Sequence, residues 1–196
     1  MANKVRHLAS LVNRSGSTSW VRTFTISNTV GNVAFIIEWV DHCLGCEEVL
    51  KVNTPVGTLS LTHRKDVICQ MDWDLNLSAN DLQNNELQQK FAAFWIKPSQ
   101  SISVKLLKQG SDYRHRVWAA LNNIPLGTTL TYSALAKQIN SSARAVGNAC
   151  RDNPYPVIIP CHRVVSVSGM GGYSGQIAGD LITIKCKLLD YESRFI

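Results

Sequence analysis

Eight residues in the last quarter of the chain, Ile158-Ile159-Pro160-Cys161-His162-Arg163-Val164-Val165, constrain it more than any other stretch. Cys161 lies between an apolar run, Val157 to Ile159, that predicts a buried strand, and a second short run, Val164-Val165. Thiolate is the nucleophilic form of cysteine, and a neighbouring imidazole can take the thiol proton. Adjacent residues of a strand point to opposite faces, so His162 can serve Cys161 only where the backbone turns. Pro160 predicts such an irregularity. A buried cysteine beside a histidine is also a common packing arrangement, so the rest of the chain has to decide between the two.

A chain of 196 residues with 45% hydrophobic and 17% charged residues can bury one large core or two small ones and is not generally disordered. No apolar run approaches the roughly 20 residues of a membrane span; the longest, Val33 to Val40, is broken by Glu38. Met1 to Arg14 lacks an apolar signal core, so no export is expected. Six cysteines in a chain of this size fit a reducing cytoplasm better than a disulfide framework. The net charge of +6 permits a polyanionic partner. Lys105, Lys108, Arg114, Arg116, Lys137, Arg144, Arg151 and Arg163 place much of that charge in the second half.

The first half predicts strands over Thr23–Asn28 and Asn32–Val40, with a turn between them at residues 29–32. His42, Cys43 and Cys46 form a compact cluster, but no second pair completes four ligands, and His63 and Cys69 are badly spaced. Loop cysteines without metal are expected there. A turn at Thr54–Thr58 precedes a hairpin of Leu59–Leu61 and Val67–Trp73, turning near His63–Asp66. Leu87, Phe91, Phe94 and Trp95 follow at helical spacing, and Lys97-Pro98-Ser99 ends that helix. This half reads as a structural support with no catalytic residue.

After Gly110 the pattern turns helical. Tyr113, Val117, Trp118, Ala120 and Leu121 predict an amphipathic helix closed by Ile124-Pro125-Leu126-Gly127. Thr131 caps the next, Tyr132–Ile139, and after Asn140-Ser141-Ser142 a further helix spans Ala143–Arg151. Two short helices so tightly joined are a helix-turn-helix candidate. The second carries mostly small residues. Small side chains let a backbone lie close to another surface, and Arg144 and Arg151 suit phosphates or an unstacked base. Tight packing of alanines against a neighbouring helix explains the same composition.

Asn153-Pro154-Tyr155-Pro156 predicts a rigid extended link, and Ser166–Gly175 a flexible loop lacking the Gly-Lys-Ser/Thr of a nucleotide cradle. Within it Tyr173 could stack on a flat base and Ser174 donate one hydrogen bond. In the last helix, Asp180–Glu192, the residues Leu181, Ile184, Leu188 and Glu192 fall at i, i+3, i+7 and i+11. A carboxylate ending an apolar stripe needs a partner. His162 is a suitable one, since a carboxylate fixes the imidazole's tautomer. A frayed helix end with Glu192 in solvent is the alternative.

Together these residues resemble the O6-alkylguanine-DNA alkyltransferase family of direct-reversal repair proteins. The resemblance is strong over about Gly110 to Glu192, weaker from Val49 to Pro98, and poor over the first fifty residues. Ile159-Pro160-Cys161-His162-Arg163-Val164 is similar to the family's active-site signature, Arg144-Ala145-Val146-Gly147-Asn148-Ala149 to its recognition helix, and Asn153-Pro154 to its asparagine hinge. Tyr113 to Gly127 is similar to the segment preceding the family's helix-turn-helix, and the link from Tyr173 to Glu192 is longer than in the best-known members.

The resemblance implies an α+β fold. A small RNase H-like α/β domain would occupy residues 1–98, a linker 99–109, and a mostly helical domain with a helix-turn-helix 110–196. It implies that Cys161 accepts the alkyl group, that His162 reaches it through a water, and that Glu192 orients His162. Asn153 would be the hinge. Tyr132 would rotate the nucleotide phosphate and contact the base. Arg144 would fill the gap left by the flipped base, beside Ala143, Ala145, Gly147, Asn148 and Arg151 on the DNA-facing helix in the minor groove. Tyr173, Ser174 and Val164 would line the base pocket, Ser174 donating to the alkylated oxygen and the carbonyls of Cys161 and Val164 reading the exocyclic amine. The implied activity is that of a methylated-DNA–[protein]-cysteine S-methyltransferase acting once, on O6-alkylguanine or O4-alkylthymine in double-stranded DNA, as a monomer without metal or cofactor. A helix-turn-helix regulator without chemistry and a cysteine hydrolase are the competing readings.

Overall fold

A computed structural model describes residues 35–75, 86–98 and 100–195. The expected strand at Thr23–Asn28 lies outside the described residues. Among those described, the first half forms strands β1 (Phe35–Val40), β2 (Glu48–Thr54), β3 (Gly57–Arg64) and β4 (Val67–Asp74), helix α1 (Glu86–Ile96) and strand β5 (Ile102–Leu107). These strands make a five-stranded mixed sheet in the order β1-β5-β4-β3-β2. The β2–β3 turn is held by Thr54, whose Oγ1 donates to the Gly57 carbonyl at 2.6 Å and accepts from the Gly57 amide at 3.1 Å. The β3–β4 turn places Lys65 at a φ of 53°. Helix α1 lays Leu87, Phe91, Phe94 and Trp95 inward, the stripe its sequence predicts. The Phe91 and Phe94 rings lie 5.9 and 4.7 Å from that of Phe35 on β1.

Two expectations are corrected. Residues 99–109, expected as a linker, contribute β5, which lies inside the sheet between β1 and β4. Its sequence, Ile-Ser-Val-Lys-Leu-Leu, buries Ile102, Val104 and Leu106 in alternation, the period of a strand with one face in the core. The second correction is at Val157–Ile159, which forms no strand. Ile159 N donates to the Tyr155 carbonyl at 2.9 Å and Cys161 N to the Ile159 carbonyl at 2.8 Å. Val157 sits at a φ of 76°, a left-handed conformation that costs a β-branched residue of the order of 1–3 kcal/mol. The segment is buried as its composition demands, but as a turn.

The rest of the chain is α2 (Asp112–Leu121), strand β6 (Leu130–Thr131), α3 (Tyr132–Gln138), α4 (Ala143–Arg151), a single 3₁₀ turn (Cys161–Arg163), strand β7 (Val164–Val165) and α5 (Asp180–Ser193). Hydroxyls cap three of the helices. Ser111 accepts from Arg114 N, Thr131 from Ala134 N, and Ser142 from Ala145 N. No helix among the described residues is long and apolar enough to cross a membrane.

The sheet and the helical part meet along β4. That strand pairs with β5 only at Val67 and Ile68. Beyond them the vacated edge is taken by the extended link: Met71 N donates to the Pro154 carbonyl at 2.8 Å, and the Cys69 carbonyl accepts from the hydroxyl of Tyr155 at 3.3 Å. The strand edge is thereby satisfied by the segment that leads to Cys161.

Candidate active site

Cys161 opens the 3₁₀ turn, with Pro160 as its cap residue at φ −80° and ψ 62°. This turn is the backbone reversal that the sequence requires if His162 is to serve the thiol. Asn153 holds the turn from behind. Its Nδ2 donates to the Ile159 carbonyl at 2.9 Å and to Cys161 Sγ at 3.2 Å, while its Oδ1 accepts from Tyr155 N at 3.0 Å. One side chain thus fixes the incoming segment, the turn and the sulfur. Burial pushes the Cys161 thiol pKa up; the Asn153 amide, the charge of Lys185 and the backbone amides of Cys161 and His162 act against it. Each of these donors favours the thiolate.

His162 Nε2 donates to Glu192 Oε1 at 2.7 Å, inside the protein. The hydrogen bond assigns the proton to Nε2 and leaves Nδ1, buried and without a hydrogen-bond partner among the described residues, as the basic nitrogen. Burial lowers the His162 pKa, opposed by Glu192, so the imidazole is neutral. Glu192 faces inward on α5, and the frayed-end alternative is excluded. Arg163 grips the same carboxylate with two bonds, Nε to Oε2 at 2.9 Å and Nη2 to Oε1 at 2.8 Å, and its Nη1 donates to the Ile124 carbonyl at 2.7 Å. Gly127 N supplies a fourth donor to the carboxylate at 3.2 Å. Burial raises the Glu192 pKa, but His162 and Arg163 outweigh it and bring it down to about 2.

A cavity of about 260 Å³ lies over Cys161, walled by Tyr132, Tyr173, Ser174, Cys150 and Arg151, with Gly147 of α4 at its edge. Tyr132 donates to the Gly172 carbonyl at 3.2 Å, and burial raises its pKa, so it stands as a protonated phenol. Ser174 and Gly175, at φ 45° and 84°, are the central residues of a tight turn closed by two backbone bonds of 2.9 Å between Tyr173 and Gln176. That turn presents Ser174 at the cavity. Val164 is buried directly behind the 3₁₀ turn. Cys150 shares the cavity, but burial pushes its thiol pKa up strongly and the charge of Cys161 pushes it further.

Helix α4 has two different faces. Val146, Ala149 and Cys150 are buried, and Trp118 Nε1 donates to the Ala149 carbonyl at 2.9 Å, so the face carrying Ala149 packs against α2. The opposite face leaves Ala143, Arg144 and Asn148 exposed and Ala145 half-buried. Among the described residues outside the helix's own backbone, a Cβ at Gly147 would meet no atom within 4 Å. Arg151, exposed, lies 3.0 Å from Asp152, which also pairs with Arg114. The packing reading of the small-residue helix therefore holds for one face, and the other face is exposed.

No three histidine, cysteine, aspartate or glutamate side chains converge as metal ligands among the described residues. Cys43 Sγ and Cys69 Sγ lie 3.6 Å apart, while Cys46 is exposed.

Residues 112–194 match the family described as 6-O-methylguanine DNA methyltransferase, DNA binding domain. A methylated-DNA–protein-cysteine methyltransferase of Mycolicibacterium paratuberculosis is 33% identical over 141 residues, 66% of this chain and 86% of that protein. The chain belongs to the methylated-DNA–protein-cysteine methyltransferase family. Among solved structures of that family, the O6-methylguanine methyltransferase of Mycobacterium tuberculosis shares a TM-score of 0.62 at 30% identity, covering 76% of this chain and 94% of that one. The M. tuberculosis OGT in complex with DNA gives a TM-score of 0.60 at 30% identity, over 74% of this chain and 93% of that one.

In this methyltransferase-family chain, three side chains at the site escape a reading of the sequence. Arg163 stands in the signature but counts there only as charge; its two bonds reach Glu192, 29 positions on in α5. Lys185 is fully buried, and its Nζ donates to the carbonyls of Val164, Met170 and Gly172 at 2.7, 2.8 and 2.9 Å. Burial lowers its pKa, opposed by the charges of Cys161, Cys150 and Cys186. Its place one residue after Ile184, on the inward stripe of α5, was the available signal. The third is Trp73, on the sheet.

Proposed function

We propose that this protein repairs alkylated DNA by direct reversal, moving the alkyl group of O6-alkylguanine, or of O4-alkylthymine, to Cys161 in a single irreversible step. The observation that carries the reading is a sulfur hydrogen-bonded by Asn153 at the floor of a cavity large enough for one base. Membership of a family named for transfer from methylated DNA to a protein cysteine supports it, as does the likeness to a DNA-bound relative. DNA is the partner.

In this reading α3 and α4 act as a helix-turn-helix entering the minor groove. Arg144 takes the space of the extruded base, while Ala143, Ala145, Gly147, Asn148 and Arg151 lie along the duplex; the open space over Gly147 suits close approach of a backbone. Tyr132 turns the nucleotide. Tyr173 and Ser174 hold the base, Ser174 donating to its alkylated oxygen and the Val164 carbonyl accepting from its amine. His162 Nδ1 takes the thiol proton through a water, with Glu192 steadying the ring and Asn153 the sulfur. The thiolate attacks the alkyl carbon, an S–C bond forms as the C–O bond breaks, and the electron pair leaves with the purine, which takes a proton from Tyr132. The phenol recovers its proton from the His162 side, so the thiol hydrogen ends on guanine. The sheet in this reading is the RNase H-like support of the DNA-binding part, and the protein works as a cytoplasmic monomer.

A thioether has no easy route to hydrolysis in this site, so repaired lesions should level off at one per protein molecule when methylated duplex is in excess. Continued turnover would mean a hydrolase. Binding without any repair would mean a regulator.

Arg144→Ala is expected to slow repair in duplex DNA roughly tenfold while leaving reaction with the free base unchanged, because only extrusion draws on the arginine. Rate constants on the two substrates check this, and equal losses on both would make Arg144 structural.

A further inference from the structure

Tyr173 is 3% exposed, and its hydroxyl accepts a hydrogen bond from Trp73 Nε1 at 2.9 Å. The two residues are a hundred positions apart and belong to different parts of the fold. Trp73 sits on β4, whose edge beyond Ile68 is occupied by the Pro154–Tyr155 link. Two residues earlier on the same strand, Met71 N holds the Pro154 carbonyl. Strand β4 therefore grips both sides of the cavity: the Asn153 hinge that touches the sulfur, and the tyrosine that walls the base pocket. The indole is itself confined, since a Cβ added at Gly57 would lie 3.6 Å from it and 3.9 Å from Ile184 of α5.

We propose that Trp73 is a positioning residue for base recognition, and that β4 makes the sheet a working part of the alkyl-acceptor site. The inference rests on the repair reading, in which Tyr173 contacts the base. A tyrosine ring held only by packing can tilt about its χ angles; one whose hydroxyl is tied to an indole N–H keeps a fixed plane, and base stacking depends on that plane. Loss of the donor also leaves a buried hydroxyl short of a partner.

The test compares Trp73→Phe, which keeps an aromatic ring but removes the donor, with wild type. Reaction with free O6-methylguanine should slow roughly tenfold, while alkylation of Cys161 by iodoacetamide, followed on its peptide, stays unchanged. Trp73→Phe combined with Tyr173→Phe should be no slower than Tyr173→Phe alone, because the two act through one bond. An unchanged base reaction, equal loss with both reagents, or additive losses would overturn the proposal. The Trp73 indole N–H resonance gives a measure independent of transfer: it should move in Tyr173→Phe, and a stationary signal would also overturn the contact. Wild-type protein that transfers nothing would instead sink the repair reading, with the indole resonance still deciding whether Trp73 holds Tyr173.

Discussion

Glu192→Gln is expected to cost about 3 kcal/mol of stability at neutral pH and to flatten the protein's response to acid. The carboxylate is buried and accepts from His162, twice from Arg163, and from Gly127. A carboxamide offers Arg163 one acceptor oxygen and no charge, leaving a buried guanidinium without its counter-ion. The pH dependence follows from the sign of the shift. Glu192 is lowered from 4.5 to about 2, so its contribution is complete above pH 4.5 and is lost as pH falls toward 2. His162 acts in the same direction. Its pKa is depressed below 6.5 by burial, so on acidification the unfolded chain takes up this proton before the native one does, and stability declines from about pH 6.5 downward. Wild type should show both limbs, and Glu192→Gln only the upper one. The same substitution should move the onset of Cys161 alkylation to higher pH, because a His162 without its carboxylate is a weaker base for the thiol. Denaturant midpoints between pH 3 and 9 check the first claim and the pH profile of the free-base reaction the second. A variant as stable as wild type, with the lower limb intact, would show that Glu192 contributes little to holding the site.

Cys161→Ala is expected to abolish transfer to the uncatalysed background while duplex binding persists, because the exposed face of α4 lies outside the altered atoms. The presence of Cys150 in the same cavity makes this a demanding prediction. Proximity alone would let Cys150 substitute. The environment says otherwise: burial raises both thiols and the charge of Lys185 opposes it at both, but of the two Cys161 has the Asn153 amide and two backbone amides that favour its thiolate. Gel-shift binding and lesion repair measured on one preparation check both halves.

Much of the site could be read from the sequence because its parts carry strong local patterns. The Pro160 break predicted a turn at Cys161; the stripe from Leu181 through Glu192 offered a buried carboxylate against a frayed end; the small residues of 143–151 offered tight packing, which one face of α4 shows. The parts missed are those fixed by long-range packing. Residues 102–107 alternate as a strand should, but without knowledge of β1 and β4 on either side they resemble a short connection. Val157–Ile159 has the composition of a strand, and only the positive φ of Val157 and the bonds from Ile159 and Cys161 reveal a turn. Lys185 and Trp73 look unremarkable in sequence. One is a lysine on a helix and the other a tryptophan on a supporting strand, and their roles exist only because three carbonyls and one hydroxyl converge on them.

The central claim is that one cysteine among six accepts the alkyl group and keeps it. Peptide mass mapping of the whole protein after reaction with excess O6-methylguanine duplex tests it most directly. The predicted result is one added methyl, on the peptide carrying Cys161, with Cys43, Cys46, Cys69, Cys150 and Cys186 unmodified. A methyl on any of those five, or repaired DNA beside unmodified protein, would contradict it.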